Sequence, residues 1–142
     1  MAVSSRRKAR IAALQALYEA DVARHHDVLG SLERLSEEEH LNDAQRAFAR
    51  ELVEGVLEQR EAIDDVIRQA ATQWPVDQLS AIDRNILRLA IREILMNNGA
   101  PIRAAINEAV ELAKTFGSDN SAKFVNGVLG SVSLALAEKR EA

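Results

Sequence analysis

Arg6, Arg7, Lys8 and Arg10 place four cations within five residues, where helical periodicity is just beginning. A helix N-terminus already carries about half a positive charge, so each added cation opposes it by roughly 0.3–1 kcal/mol before salt screening. A sequence chosen only for stability would put acids at this end. An anionic ligand removes the conflict, because phosphate oxygens meet both the side-chain cations and the helix amides. The bland alternative is a frayed, solvated terminus. The chemistry these residues offer is polyanion binding.

A second group lies near the other end. Lys123 and Asn126 are three apart and share one helix face, with Asp119 or Asn120 a turn earlier. They follow the stretch FGSDNSAKFVNG (116–127), which compresses a helix end and a helix start into twelve residues. There Gly117 is expected to close one helix in the left-handed conformation, while Ser118, Asp119, Asn120 and Ser121 offer caps to the next. Gly127 and Gly130 would each cost a helix interior about 1 kcal/mol against alanine. Close approach of another helix is the expected reason for them. Phe124 is expected in the core, although an aromatic beside a lysine can also stack on a base.

Other groupings carry less chemistry. Arg84, Arg88 and Arg92 repeat at i, i+4 and i+8, where like charges repel, so acidic neighbours are expected, with Glu108 and Glu111 as candidates. His25 and His26 are adjacent and would not converge on one ion from a helix. No glycine loop suits a phosphate cradle, and no nucleophile has a positioned base. Catalysis, a cofactor and a metal are therefore not expected.

The charge balance agrees with binding at one end only. The whole chain carries −4, yet residues 1–24 sum to +3 and the remainder to −7. At 47% hydrophobic and 28% charged over 142 residues, the composition is that of one globular domain, 1–142, rather than a disordered chain. The absence of cysteine excludes disulfides and thiolate metal sites and favours a reducing compartment. No apolar run reaches the ~18 residues of a membrane span. Gln15 and Tyr18–Asp21 interrupt any signal-like core, so the expectation is a cytoplasmic protein.

The elements that must position these residues are all helical. The period predicts a helix from about Ser5 to Arg24 with Ile11, Leu14, Leu17/Tyr18 and Val22 inward, and a weaker one near Val28–Leu35. Another starts at about Asp43, with Phe48, Leu52 and Val56 inward, then Ile63, Val66, Ile67 and Ala70; no Gly or Pro marks a break near Arg60. Trp74–Pro75 ends that region. Ser80 resembles an N-cap for a helix that is apolar around most of its circumference, the pattern of a central helix. Asn98–Gly99 can close it and Pro101 can open the next, whose inner face runs from Ile102 to Phe116. The last helix, from about Ser121 to Ala137, should bury Phe124, Val125, Val128, Leu129 and Val132. The result is an all-α bundle of six or seven helices.

IDRNILRLAIREIL (82–95) followed by AINEAVELAKTFGSDNSAKFVNGVL (105–129) resembles the C-terminal half of the NusB family of bacterial transcription antitermination factors. RRKARIAALQALYEAD at the start and FARELVEGV (48–56) fit the same pattern, so the resemblance spans essentially the whole chain. It implies a non-enzymatic helical adaptor that binds single-stranded boxA RNA of ribosomal-operon leaders. The implied partner is NusE, a small-subunit ribosomal protein, and the pair would join the RNA polymerase antitermination complex. The family's arginine-rich RNA surface would fall to Arg6, Arg7, Lys8 and Arg10, and that of the last helix to Lys123, Phe124 and Asn126. By the same positional match, NusE would meet Tyr18, Asp77 and Asp83. Asn120 stands where some family members have an acid, which leaves its part in RNA affinity open.

Two other readings stay beside this one. One is the RNA-binding domain of an RNA cytosine methyltransferase, whose N-terminal part resembles the same family and which would need a longer chain. The other is a homo-oligomeric interaction module, and monomer and homodimer are both compatible with the sequence.

Overall fold

Apolar side chains spaced three and four apart wind nearly the whole chain into helix, as the period predicts. The structure, a computed structural model, describes residues 2–24, 27–96 and 101–141, with side chains described for 6–24, 27–96 and 101–136. The helices are α1 (Ala2–Ala23), α2 (Val28–Glu38), α3 (Asp43–Ala70), α4 (Ala81–Met96), α5 (Ile102–Phe116) and α6 (Ser121–Glu141). A single 3-10 turn, Val76–Gln78, precedes α4, and no strand occurs among the described residues. The architecture is all-α. No helix among the described residues is long and apolar enough to cross a membrane. His25, His26 and Asn98–Gly99 lie outside the described residues.

Two compact units divide the chain, Met1–Glu58 and Gln59–Ala142. In the first, α1 packs on α2. The seam of α1 is built from Ala9, Ala12, Ala13, Ala16 and Ala20 with Leu14 and Leu17, all buried. This corrects part of the expected inner face: Leu14 and Leu17 are buried, but Tyr18 and Val22 are 38% and 57% exposed. Small side chains let helices approach closely, so the alanine side wins over the larger apolar residues. Arg34 of α2 reaches back to α1, donating to both carboxylate oxygens of Glu19 at 2.8 and 2.6 Å. Those bonds, with further help from Glu38, hold the Arg34 guanidinium above its ordinary range.

Caps set the helix boundaries in this unit. The Asp27 carboxylate accepts from the Gly30 amide at 3.1 Å and opens α2. Asn42 and Gln45 exchange side-chain and backbone bonds at 2.8 and 2.9 Å, a reciprocal box that opens α3. Arg24 and His40 end their helices at positive φ, 56° and 54°, without a glycine.

The second unit centres on α4, which packs against α5 and α6, while α5 packs on α6. Ile86, Leu87, Leu89, Ala90 and Ile91 are all buried, as the nearly all-round apolar pattern requires. The arginine stripe is structural. Arg84 donates to the backbone carbonyls of Val76, Asp77 and Leu79 at 3.3, 3.4 and 2.9 Å. Arg88 is held by Asp64 of α3, and Glu111 pairs with Lys114 at 3.3 Å instead of serving the stripe. Arg92 donates to the Gln59 side chain at 3.3 Å. Gln59 itself breaks the helical course of α3, with φ −111° and ψ 18°.

Candidate nucleic-acid interface

The first turns of α1 carry the basic group. Arg6, Arg7 and Lys8 are exposed, whereas Arg10 is only 5% exposed. The spacing explains part of this: Arg6 and Arg10 are four apart and so project on one side. Both guanidinium groups lie over the ring of Phe48 from α3, at 4.9 and 5.3 Å from its centroid. Phe48 is half-buried. One aromatic ring thus steadies two cations, each attracted by the ring quadrupole. Arg10 occupies the buried side of this arrangement, and Arg6 keeps access to solvent.

The start of α6 carries the second group. Gly117 closes α5 in extended backbone, φ −93° and ψ −172°, which corrects the expected left-handed closure. The glycine is needed for space instead. A Cβ built there would lie 2.5 Å from both the Cβ and the Oγ of Ser121. Ser121 sits that close because its Oγ accepts from the Ser118 amide at 2.9 Å, while the Ser121 amide donates to the Ser118 carbonyl at 3.1 Å. Phe124 then begins the regular ladder, its amide donating to the Asn120 carbonyl at 3.1 Å.

From this tight start, Lys123 and Asn126 stand exposed and Phe124 is half-buried. The expected close approach of another helix to Gly127 and Gly130 is not found. Among the described residues nothing lies within 4 Å of a Cβ built at either position. Gly127 faces an open groove of about 580 Å³, lined also by Asn120, Lys123, Phe124, Val128 and the segment 70–74. Trp74 forms part of this wall and is 55% exposed. The sequence marked Trp74 only as the end of a helix. The available signal was an aromatic standing between Gln73 and Pro75, outside any apolar repeat.

The residues matched to a protein partner are distributed over both units. Tyr18 is exposed on α1, and Asp77 is exposed on the 3-10 turn. Asp83 is half-buried in the first turn of α4, where its amide donates to Ser80 Oγ at 3.1 Å. Among the described residues no group hydrogen-bonds the buried Oδ1 atom of Asp83. Arg84 ties the Asp77 backbone to the same helix turn at 3.4 Å. Among the described residues no group of three or more His, Cys, Asp or Glu could hold a metal ion.

Comparison with known proteins places these observations in a family. A family model described as the NusB family matches residues 7–134. The transcription antitermination protein NusB of Dehalococcoides mccartyi (strain ATCC BAA-2266 / KCTC 15142 / 195) is 53% identical over 137 residues, covering 95% of this chain and 94% of that protein. The NusB of Chloroflexus aggregans is 47% identical over 141 residues. A solved structure of T. maritima NusB superposes with a TM-score of 0.85 at 38% identity, covering 89% of each chain. A crystal structure of antitermination factors NusB and NusE in complex with dsRNA superposes with a TM-score of 0.84 at 27% identity, covering 93% of this chain and 98% of that one.

Proposed function

The chain belongs to the NusB family of transcription antitermination factors, and from that premise we propose that it binds single-stranded boxA-type RNA together with NusE. It is a non-enzymatic factor by the same membership. The RNA-bound pair then joins elongating RNA polymerase on ribosomal operons and suppresses premature termination.

The observation that carries the RNA reading is the basic start of α1. Arg6, Arg7 and Lys8 are exposed in a chain of net charge −4, and Arg6 is steadied on Phe48. Cations held at a helix N-terminus suit phosphates, and their arrangement supplies affinity without reading sequence. Sequence is read on unpaired bases by stacking and edge contacts, for which Lys123, Phe124 and Asn126 stand at the start of α6. Tyr18, Asp77 and Asp83 are the residues proposed to meet NusE.

Fluorescence anisotropy of labelled boxA RNA, titrated with this protein alone and with NusE, tests the reading. Weak binding alone at low salt and tighter binding with NusE are expected, and a duplex of the same sequence should compete less well. RNA that stays free in both titrations would remove the proposal.

A further inference from the structure

The groove at the start of α6 combines features that the basic segment of α1 lacks. Trp74 and Phe124 bring two aromatic surfaces to it, Lys123 a cation, and Asn120 a side-chain donor and acceptor. Trp74 leaves 55% of its surface in water, although Ala71 and Val76 on either side of its loop are buried. The fold therefore uses this loop for packing but leaves the indole out of the core. Gly127 leaves its side of the groove open: among the described residues nothing lies within 4 Å of a Cβ built there.

We propose that this groove receives one unpaired nucleobase of the bound RNA, with Trp74 as its stacking surface. Lys123 meets an adjoining phosphate, and Asn120 offers its amide to the base edge. The inference rests on the RNA-binding reading above and adds to it both Trp74 and a subsite for a single base. Its volume of about 580 Å³ is in the range of small-ligand pockets. An apolar peptide segment would gain nothing from a lysine and an asparagine at the rim. A nucleotide uses the aromatic face, the cation and the amide together, because every base presents a π-face and every link a phosphate.

Trp74 is the single tryptophan of the chain, so its emission reports on the groove directly. Unlabelled single-stranded boxA RNA is titrated while tryptophan emission is followed, and labelled RNA is titrated in parallel by anisotropy. Quenching that follows the anisotropy isotherm is expected. Trp74→Ala should weaken binding about tenfold and Trp74→Phe far less, as stacking strengths imply. Gly127→Leu, whose Cβ enters open space and whose side chain extends into the groove, should weaken binding comparably while helicity by circular dichroism is kept.

Three results would overturn the proposal. If anisotropy rises while emission and Trp74→Ala affinity stay unchanged, the base lies elsewhere and the RNA reading survives. If NusE alone quenches the emission and RNA adds nothing, the groove is a protein contact. If the unaltered protein binds no RNA, with or without NusE, the broader reading and the groove fall together.

Discussion

Arg88 and Asp64 form a bidentate ion pair inside the second unit, with Nε donating to Oδ1 at 2.8 Å and Nη2 to Oδ2 at 2.9 Å. The side chains are 5% and 11% exposed, and the Asn85 side-chain Oδ1 accepts from Arg88 Nη1 at 3.3 Å. The pair joins α3 to the central helix α4. Desolvating two charges offsets much of their attraction, so the pair adds little net stability, but removing one partner strands the other. Asp64→Ala should cost about 3 kcal/mol, which for a chain of this size lowers Tm by about 10 °C. Asp64→Leu with Arg88→Met should recover part of that loss. Thermal unfolding by circular dichroism checks both, and a single variant as stable as the unaltered protein would contradict the account.

Phe48 is a positioning residue for the basic segment, because Arg6 and Arg10 both lie over its ring. Phe48→Leu keeps apolar volume but removes the quadrupole. At roughly 0.5–1 kcal/mol for an exposed cation–π contact, RNA affinity should fall about two- to fivefold. The slope of log affinity against log salt should not change, since no phosphate contact is lost. A steeper or shallower slope in Phe48→Leu would show that the ring does more than orient Arg6.

Much of this fold was legible because α4, α5 and α6 repeat their apolar residues at helical spacing and start at readable signals such as Ser80 and Ser121. The exposed cations of α1 and the polar start of α6 were legible for the same reason: both are local in sequence. What escaped depends on distant residues. Arg10 is buried beside an aromatic 38 positions on, and Arg88 has its partner 24 positions back. The alanine seam of α1 was missed because periodicity weighs large apolar residues, whereas close packing selects small ones. Trp74 had no periodic neighbours, so only the groove around it sets it apart.

Gly117 and Gly127 should respond oppositely to the same substitution. Gly117→Ala forces a Cβ to 2.5 Å from Ser121 and to 2.8 Å from the Ala113 carbonyl oxygen, which is backbone and cannot swing away. A loss of about 1–3 kcal/mol is expected, together with loosening of the α6 start. Gly127→Ala meets nothing within 4 Å among the described residues and adds helix propensity, so it should gain about 1 kcal/mol and raise Tm by about 3 °C. Equal losses in both variants would mean that Gly127 is packed after all.

The salt dependence of RNA binding separates phosphate contacts from the rest of the basic segment. With about three phosphates neutralised by exposed cations, the log–log slope on single-stranded RNA should be near −2. Arg7→Glu should weaken binding, make the slope shallower by about 0.7 and leave helicity unchanged. Arg10→Met should act differently, because its guanidinium is buried against Phe48 and not offered to solvent. The slope should stay as it was, while Tm falls with the loss of a packed side chain. An Arg10→Met slope reduced as far as that of Arg7→Glu would place Arg10 on the RNA, and unchanged affinity of Arg7→Glu at low salt would remove Arg7 from it.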